Sequence, residues 1–316
     1  MFTMQRLTQA YRTAKVVEFD SSSKFIIFSD AHRGDGSISD EFAKNRHVFV
    51  AALKHYFDEG FTLIEAGDNE ELWEYPKFHH IAKANPFTYE LIRGFHDNGR
   101  YLRLFGNHDM QLSEPDYVKC NLHEQRNYLT GDLEPLLSGL EVHEALLLRH
   151  RTTGQELLCV HGHQGDFAND QAWRYSMFTF RIFWRYMHAL GIRSPSSPTR
   201  NSFKRHKVER NFVRWILRTG IPLICGHTHR ERFPRDDDAP YFNSGGCTFP
   251  NHITGLELTG DTISLITWRV VPDARGYLKV ARRVLAPPRP IADFDLRPNP
   301  ARRRRPRKSL DWSTAK

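Results

Sequence analysis

Short apolar runs alternate with helix-like stretches from residue 24 to about residue 165 of this chain. Each run is four or five residues long, which suits a buried strand and is too short for a helix. Between the runs, segments 41–57 and 86–95 place apolar residues at helical spacing. This alternation predicts crossover units around a central sheet, with functional side chains at the carboxyl ends of its strands.

The segment 171–220 breaks this pattern and predicts a helical insertion. Large apolar residues recur at intervals of four and three beside a basic stripe, and a second amphipathic helix follows a loop rich in proline and serine. Glu209 is the only acidic residue from 172 to 220, so the insertion is strongly basic. The first helix would carry Trp173, Met177, Phe180, Trp184 and Met187 on its apolar face and Arg174, Arg181, Arg185 and His188 on its basic stripe.

Beyond the insertion the pattern returns to strands. Segments 253–258 and 262–270 flank Gly260 and Asp261 and predict a hairpin. After Ala286 the chain is rich in proline and arginine and has too few apolar residues to form a core. We therefore predict an N-terminal extension (1–23), one domain (24–286) with the insertion at about 171–220, and a disordered basic tail (287–316).

Five polar motifs follow five of the apolar runs. Asp, Asn and His predominate in them, and the oxygen and imidazole nitrogen atoms of these residues are the ligands that a hydrolytic centre with two metal ions requires. A single such motif is more often structural, but five in succession at strand ends predict one shared site. The motifs are Asp30-Ala31-His32, Gly67-Asp68-Asn69-Glu70, Gly106-Asn107-His108-Asp109, His161-Gly162-His163 and Gly226-His227-Thr228-His229.

This ordered series resembles the signature of the calcineurin-like metallophosphoesterase superfamily: Asp-x-His, Gly-Asp, Gly-Asn-His-Asp/Glu, a strand-end His and Gly-His-x-His. All five blocks occur in order between about Phe25 and Leu258. The resemblance implies an α/β fold, the metallophosphoesterase α/β/β/α four-layer sandwich, here with a helical insertion. It also implies two central mixed sheets with the metal ions at their edge.

The resemblance implies a ligand set for two divalent metal ions. Mn²⁺ is the ion expected, with iron or zinc as alternatives, because affinity order alone does not select the metal. The absence of cysteine from the set argues against a closed structural zinc site. The implied ligands are Asp30, His32 and His229 for the first ion, Asn107, His161 and His227 for the second, and Asp68 as the bridge between them.

Other motif residues are expected to act on the substrate. By resemblance, His108 lies beside the metal ions without ligating them and is oriented by Asp109. A histidine held in this way protonates the leaving oxygen or stabilises transition-state charge, a contribution of ~10²–10⁴-fold. Both residues are predicted to be catalytic, and the predicted substrate-binding residues are Arg33, Asn69, His163, Arg181 and Arg185.

The predicted function is hydrolysis of a phosphomonoester, phosphodiester or pyrophosphate by metal-activated hydroxide. The inserted helices and the sequence Gly226-His227-Thr228-His229-Arg230 are similar to the UDP-2,3-diacylglucosamine pyrophosphatases, which generally have Arg where this chain has His108. Hydrolysis of a lipid-linked nucleotide sugar is therefore one alternative. A nuclease and a non-catalytic metal-binding scaffold are two others.

Composition favours anionic partners. The 316-residue chain has a net charge of +8 and a pI near 9.3, which suits an anionic phosphate ester, nucleic acid or an acidic membrane surface. Three interpretations of the insertion compete: a cap over the site, a membrane-binding surface and a nucleic-acid groove. The basic tail has the composition to contact nucleic acid or acidic lipid.

The cysteines and the apolar segments indicate the cellular compartment in which we expect the protein. The four cysteines lack paired spacing, which indicates reduced thiols rather than a disulfide framework. No segment reaches ~18 consecutive apolar residues, and the first 15 residues lack the apolar stretch of a signal peptide. We expect a cytoplasmic protein, peripheral to the membrane if its basic helices bind lipid.

Overall fold

The computed structural model describes residues 2–127, 130–166, 170, 177–178 and 202–297. Its α-helices within these ranges are α1 (Phe2–Thr13), α2 (Arg46–Asp58), α3 (Phe78–Ala84), α4 (Pro86–Asp97), α5 (Pro115–Leu122) and α6 (Ser202–Thr219). Its strands there are β1 (Lys15–Phe19), β2 (Lys24–Phe28), β3 (Thr62–Ala66), β4 (Tyr101–Leu104), β5 (Glu124–Arg126), β6 (Leu133–Pro135), β7 (Val142–His143), β8 (Ala145–His150), β9 (Glu156–Val160), β10 (Leu223–Cys225), β11 (Tyr241–Asn243), β12 (His252–Thr259), β13 (Thr262–Pro272) and β14 (Leu278–Pro290).

Two mixed sheets form the centre of the fold. The larger has the strand order β14-β13-β12-β2-β3-β4-β7, and the smaller has the order β1-β8-β9-β10-β11. In the larger sheet β2, β3, β4 and β7 are parallel, whereas β12, β13 and β14 join in antiparallel pairing. In the smaller sheet β9, β10 and β11 are parallel. The motif-bearing ends of β2, β3 and β4 therefore share one edge, as do those of β9 and β10.

The two sheets pack face to face and are covered by helices on their outer faces. In β2, Phe25 and Ile27 belong to the core between the sheets, while Ile26 and Phe28 face the core beneath α2 and α4. This division follows from the alternation of side chains along a strand. Leu7 of α1, together with α6, covers the outer face of the smaller sheet. The resulting order of layers is α/β/β/α, so the predicted fold class is confirmed.

The apolar runs and helical spacings gave the central elements correctly. All five runs before the motifs are strands, namely β2, β3, β4, β9 and β10. The two predicted helices correspond to α2 and α4, and the predicted hairpin is the antiparallel pair β12 and β13. The second helix of the insertion is α6, whose Phe212 and Trp215 are fully buried against the smaller sheet.

Both predicted domain boundaries need correction. Residues 15–19 are not part of a separate extension, because β1 pairs in parallel with β8 inside the smaller sheet. Residues 287–297 are not disordered: β14 continues to Pro290, and Ile291 and Phe294 are buried in the core between the sheets. The predicted tail from 298 lies outside the described residues, as does the first helix of the insertion apart from residues 177 and 178. Among the described helices, none has both the length and the apolar character to cross a bilayer.

Candidate metal centre

The five motifs meet where the ends of the two sheets converge. Backbone hydrogen bonds join the loops that carry them: Asp30 N donates to Gly67 O at 3.1 Å, and His32 N donates to Asp68 O at 2.9 Å. In the smaller sheet, Gly226 N donates to His161 O at 2.9 Å. Side chains that are far apart in sequence are thereby fixed in one cluster.

The backbone is strained at the predicted ligands. Six non-glycine residues of the described chain have a positive φ, and five of them are predicted metal ligands. Such a conformation is uncommon for residues with a Cβ and persists only where the surroundings enforce it, typically at functional sites. The five are Asp30 (51°), His32 (47°), Asp68 (52°), His227 (65°) and His229 (48°).

Two motif glycines allow the loops to approach the acidic ligands. A Cβ at Gly106 would lie 2.2 Å from Asp68 Oδ1, and a Cβ at Gly226 would lie 2.3 Å from Asp30 Oδ2. No side chain fits at such distances. The glycine that begins each of these two motifs is therefore required because its backbone packs directly against a carboxylate. Gly106 packs against Asp68, and Gly226 packs against Asp30.

The first group of donor atoms consists of Asp30, His32 and His229, whose ligand atoms lie within 4.8 Å of one another. His229 Nε2 is 3.1 Å from Asp30 Oδ1 and 3.0 Å from His32 Nε2. Two imidazole nitrogens and a carboxylate oxygen thus converge on one point. His32 Nδ1, on the other side of the ring, contacts Glu71 Oε2 at 2.7 Å.

The second group consists of Asp68, His161 and His227, with ligand atoms again within 4.8 Å of one another. His161 Nε2 lies 3.1 Å from Asp68 Oδ2, and its Nδ1 is held 3.0 Å from the carbonyl of Ala66. Asp68 is also 3.9 Å from His32 Nε2 of the first group. The structure therefore places Asp68 between the two groups, as a bridging ligand requires.

Several atoms of the cluster fit a bound cation. Asn107 Oδ1 and His227 Nε2 are buried without a hydrogen-bond partner among the described residues. A buried polar atom without a partner is costly, and such atoms in native structures point to a missing ligand or ion. Oxygen from Asp and Asn with nitrogen from His suits Mn²⁺, iron or zinc. The residues present therefore fit two divalent ions.

The electrostatics of the second group also suit a cation. Burial and the neighbouring charge of His161 lower the pKa of His227 to about 4, so its ring is neutral near pH 7 and able to ligate. Burial lowers the pKa of His161, but the carboxylates of Asp68 and Asp30 outweigh it and raise the value to about 9. A proton therefore occupies His161 in the absence of another cation, and a metal ion would replace it.

His108 lies beside both groups, and a residue that the sequence analysis missed holds it. His108 Nδ1 contacts Glu71 Oε1 at 2.8 Å, and its backbone N donates to Asp68 Oδ1 at 2.7 Å. The indole of Trp73 stacks on the imidazole, with ring centroids 4.2 Å apart and planes at 22°. Glu71 thus contacts Nδ1 of both His32 and His108. Its position three residues after Asp68, in the same polar loop, was the available signal.

Asp109 occupies a different position from the one predicted for it. Its carboxylate accepts hydrogen bonds from the backbone N atoms of Gly106 (2.6 Å) and Asn69 (3.0 Å) and from the guanidinium of Arg103. The carboxylate that orients His108 is Glu71 instead. Asp109 therefore connects loops rather than orienting the histidine, which corrects the expected pairing.

The predicted substrate-binding residues are not grouped at an open surface. Arg33 is fully buried, and its guanidinium donates to Glu65 and Glu70, so it does not face a substrate phosphate. Asn69 is also buried, and its Nδ2 donates to Gly67 O. His163 is buried beside His161, with ring centroids 5.5 Å apart. The last two, Arg181 and Arg185, lie outside the described residues.

Comparison with known proteins gives a structural likeness but no match in sequence. No protein-family model matches the sequence, and no curated protein matches it. Among solved structures, the chain is similar to the crystal structure of Chaetomium thermophilum Vps29, with 10% identity and a TM-score of 0.34 over 84% of this chain and 96% of that chain. A likeness this remote carries no argument about activity. What the molecule itself shows is an α/β/β/α sandwich with residue groups that could hold metal ions.

Proposed function

We propose that this protein is a metal-dependent phosphoesterase that hydrolyses a phosphomonoester, phosphodiester or pyrophosphate. The observation that carries the proposal is the pair of donor groups joined by Asp68, with His108 held beside them by Glu71. A structural metal site would need only the donor groups. A histidine that is fixed by a carboxylate but lies outside both groups is the arrangement expected for proton transfer.

The two donor groups would hold the metal ions as the resemblance implies. Asp30, His32 and His229 serve the first ion, Asn107, His161 and His227 serve the second, and Asp68 serves both. When bound, two such ions lower the pKa of a water molecule and stabilise the charge on the phosphoryl oxygens. Mn²⁺ is the proposed ion, with iron or zinc as alternatives.

The protein side chains then orient the substrate and supply the proton. Among the proposed metal ligands and His108, the most accessible side chains are those of His108 and His229, at 17% and 19% exposed. The side chains of Asp30 and His161 are 0% exposed. The substrate therefore approaches over His108 and His229. Because Nδ1 of His108 contacts Glu71, Nε2 is the atom that delivers a proton to the leaving oxygen. Trp73 keeps the imidazole plane fixed during this transfer.

A substrate panel tests this function and separates the substrate classes. Purified full-length protein with Mn²⁺ is assayed on a chromogenic monoester, a chromogenic diester, a lipid-linked nucleotide sugar and single-stranded DNA. We expect hydrolysis of at least one, abolished by Asp68→Ala. Preference for the nucleotide sugar would favour a pyrophosphatase, and preference for DNA would favour a nuclease. Two bound ions with no hydrolysis in any arm would refute the proposal and favour a metal-binding scaffold.

A further inference from the structure

Five charged side chains are buried together behind the metal centre. They are at most 1% exposed and alternate in charge, with two guanidinium groups between three carboxylates. Arg33 donates to Glu65 at 2.6 Å and to Glu70 at 2.5 Å. Arg103 donates to Glu65 at 2.5 Å and also to Glu70 and Asp109. We call this set the buried charge cluster: Arg33, Glu65, Glu70, Arg103 and Asp109.

The buried charge cluster reaches three of the ligand-bearing loops. Arg33 directly follows His32, Glu70 is two residues after Asp68, and Asp109 is two residues after Asn107. The remaining two members, on β3 and β4, anchor these loops to the larger sheet. A displacement of any one loop would therefore break a charged hydrogen bond inside the protein.

Asp109 connects two of these loops directly. Its Oδ1 accepts from Gly106 N at 2.6 Å and from Asp68 N at 3.2 Å, and its Oδ2 accepts from Asn69 N at 3.0 Å. One carboxylate thus holds the backbone on both sides of the gap between Asp68 and Asn107. Arg103 compensates its charge, without which a buried carboxylate would be strongly unfavourable.

We propose that Asp109 and Arg103 are positioning residues that set the spacing between Asp68, shared by both ions, and Asn107, which belongs to the second ion. The inference rests on the proposed metal-dependent function. It assigns to Asp109 a role that acts through the backbone and not on the substrate. The proposal has a specific consequence: loss of either residue weakens binding of the second ion far more than binding of the first.

General stability does not account for this arrangement. Replacing a whole buried ion cluster by apolar side chains is often neutral or favourable, although removing one partner alone is destabilising, so stability alone does not require such a cluster. Charge-assisted hydrogen bonds are instead short and directional, which suits them to fixing a distance. Residues that orient metal ligands in this way typically alter metal affinity 10- to 100-fold when they are replaced.

The test measures metal binding and the interaction between the ions. The full chain, freed of metal, is titrated calorimetrically with Mn²⁺, and the loaded protein is examined by electron paramagnetic resonance for coupling between two Mn²⁺ ions. The variants are Asp109→Asn and Arg103→Lys. The matched control is Arg100→Lys, because Arg100 precedes the same strand but donates to the carbonyls of Phe57 and Phe61, away from the centre.

We expect wild type and Arg100→Lys to bind two coupled Mn²⁺ ions. In Asp109→Asn and Arg103→Lys, the second dissociation constant should rise about 10- to 100-fold, the first should stay near wild type, and the coupled signal should weaken. Lower thermal stability with wild-type affinity at both sites would overturn the inference. If Asp109→Asn does not fold, Arg103→Lys, which keeps the charge, decides the question.

These outcomes are distinct from failure of the proposed function. Wild-type protein that binds two coupled ions and hydrolyses no phosphate ester would refute the phosphoesterase, while the affinities of the variants would still decide the role of Asp109 and Arg103. Wild-type protein that binds a single ion would overturn both proposals.

Discussion

Replacement of Glu71 by glutamine isolates the contribution of the carboxylate that holds two histidines. Glu71 contacts His32 Nδ1 at 2.7 Å and His108 Nδ1 at 2.8 Å. Burial raises the pKa of this carboxyl, but the charges of His108 and His32 outweigh that effect and lower it to about 2, so Glu71 is ionised throughout the assay range. Glutamine keeps the shape and removes the charge.

The magnitude follows from the two hydrogen bonds. A hydrogen bond to a charged group contributes ~1.5–3 kcal/mol and a neutral one ~0.5–1.5 kcal/mol, so Glu71→Gln loses about 1–1.5 kcal/mol at each histidine. Since ~1.4 kcal/mol corresponds to a tenfold change, kcat should fall about tenfold through His108. The affinity of the first metal ion should fall by a similar factor through His32. His108→Ala, which removes the proton donor altogether, should cost ~10²–10⁴-fold.

The assay is steady-state hydrolysis at saturating Mn²⁺, with two esters that differ in their leaving group. A poor leaving group needs the proton more, so the loss in Glu71→Gln should be larger for a phenyl than for a nitrophenyl ester. Combining Glu71→Gln with His108→Ala should lower kcat no further than His108→Ala alone. The control is Glu257→Gln, another buried carboxylate with two partners, Tyr56 and Arg282, outside the centre.

Three results would refute this account of Glu71. Equal losses for both leaving groups would show that proton transfer by His108 is not what the carboxylate supports. A double variant whose losses multiply would show that Glu71 acts independently of His108. A matching loss in Glu257→Gln would trace the effect to stability.

Three further predictions concern the ligands, the tail and pH. Asp68→Ala should lose both metal ions and all hydrolysis, and metal analysis showing two equivalents would contradict the bridging role. Deleting 298–316 should leave thermal stability and turnover unchanged. Deleting 287–316 should lower the free energy of unfolding by ~3–6 kcal/mol, because the buried side chains of Ile291 and Phe294 are lost. Equal melting temperatures for the two truncated proteins would contradict this. Mn²⁺ affinity should rise up to about tenfold per pH unit from pH 6 to 9. The pKa of His161 is raised to about 9, so below that pH the metal ion must displace a proton from this imidazole. A Mn²⁺ affinity that does not change with pH in calorimetric titrations would contradict this prediction.

The sequence predicted those parts of the fold that depend on local pattern. Buried strands such as β2 and β3 are apolar on both faces, so they stand out as runs. β1 was missed because it lies at a sheet edge and has a mostly accessible, mixed sequence. The end of β14, residues 287–290, was assigned to the tail because its prolines and arginine resemble a disordered segment, and its order comes from pairing with β13. Such pairing between distant segments leaves no local signal.

In the candidate site, too, the sequence predicted what depends on a local motif and missed what depends on distant partners. Side chains that carry their chemistry within a motif, such as Asp68 and His227, were assigned before their surroundings were known. Glu71 was missed because its role depends on two histidines 37 and 39 residues away in the chain. Arg33 was assigned to the substrate because it follows a ligand, but its partners Glu65 and Glu70 lie on the next strand and loop and draw it into the interior. Burial of a charged side chain depends on partners that motif spacing does not reveal.

Hydrolysis measured as a function of Mn²⁺ bound per chain tests the central claim most directly. Metal-free protein is loaded in steps, bound metal is quantified at each step, and turnover of the best substrate from the panel is recorded on the same samples. If both donor groups act together through Asp68, activity should stay low up to one equivalent, rise between one and two, and then remain constant. Full activity at one equivalent, or none at two, would contradict a dinuclear phosphoesterase.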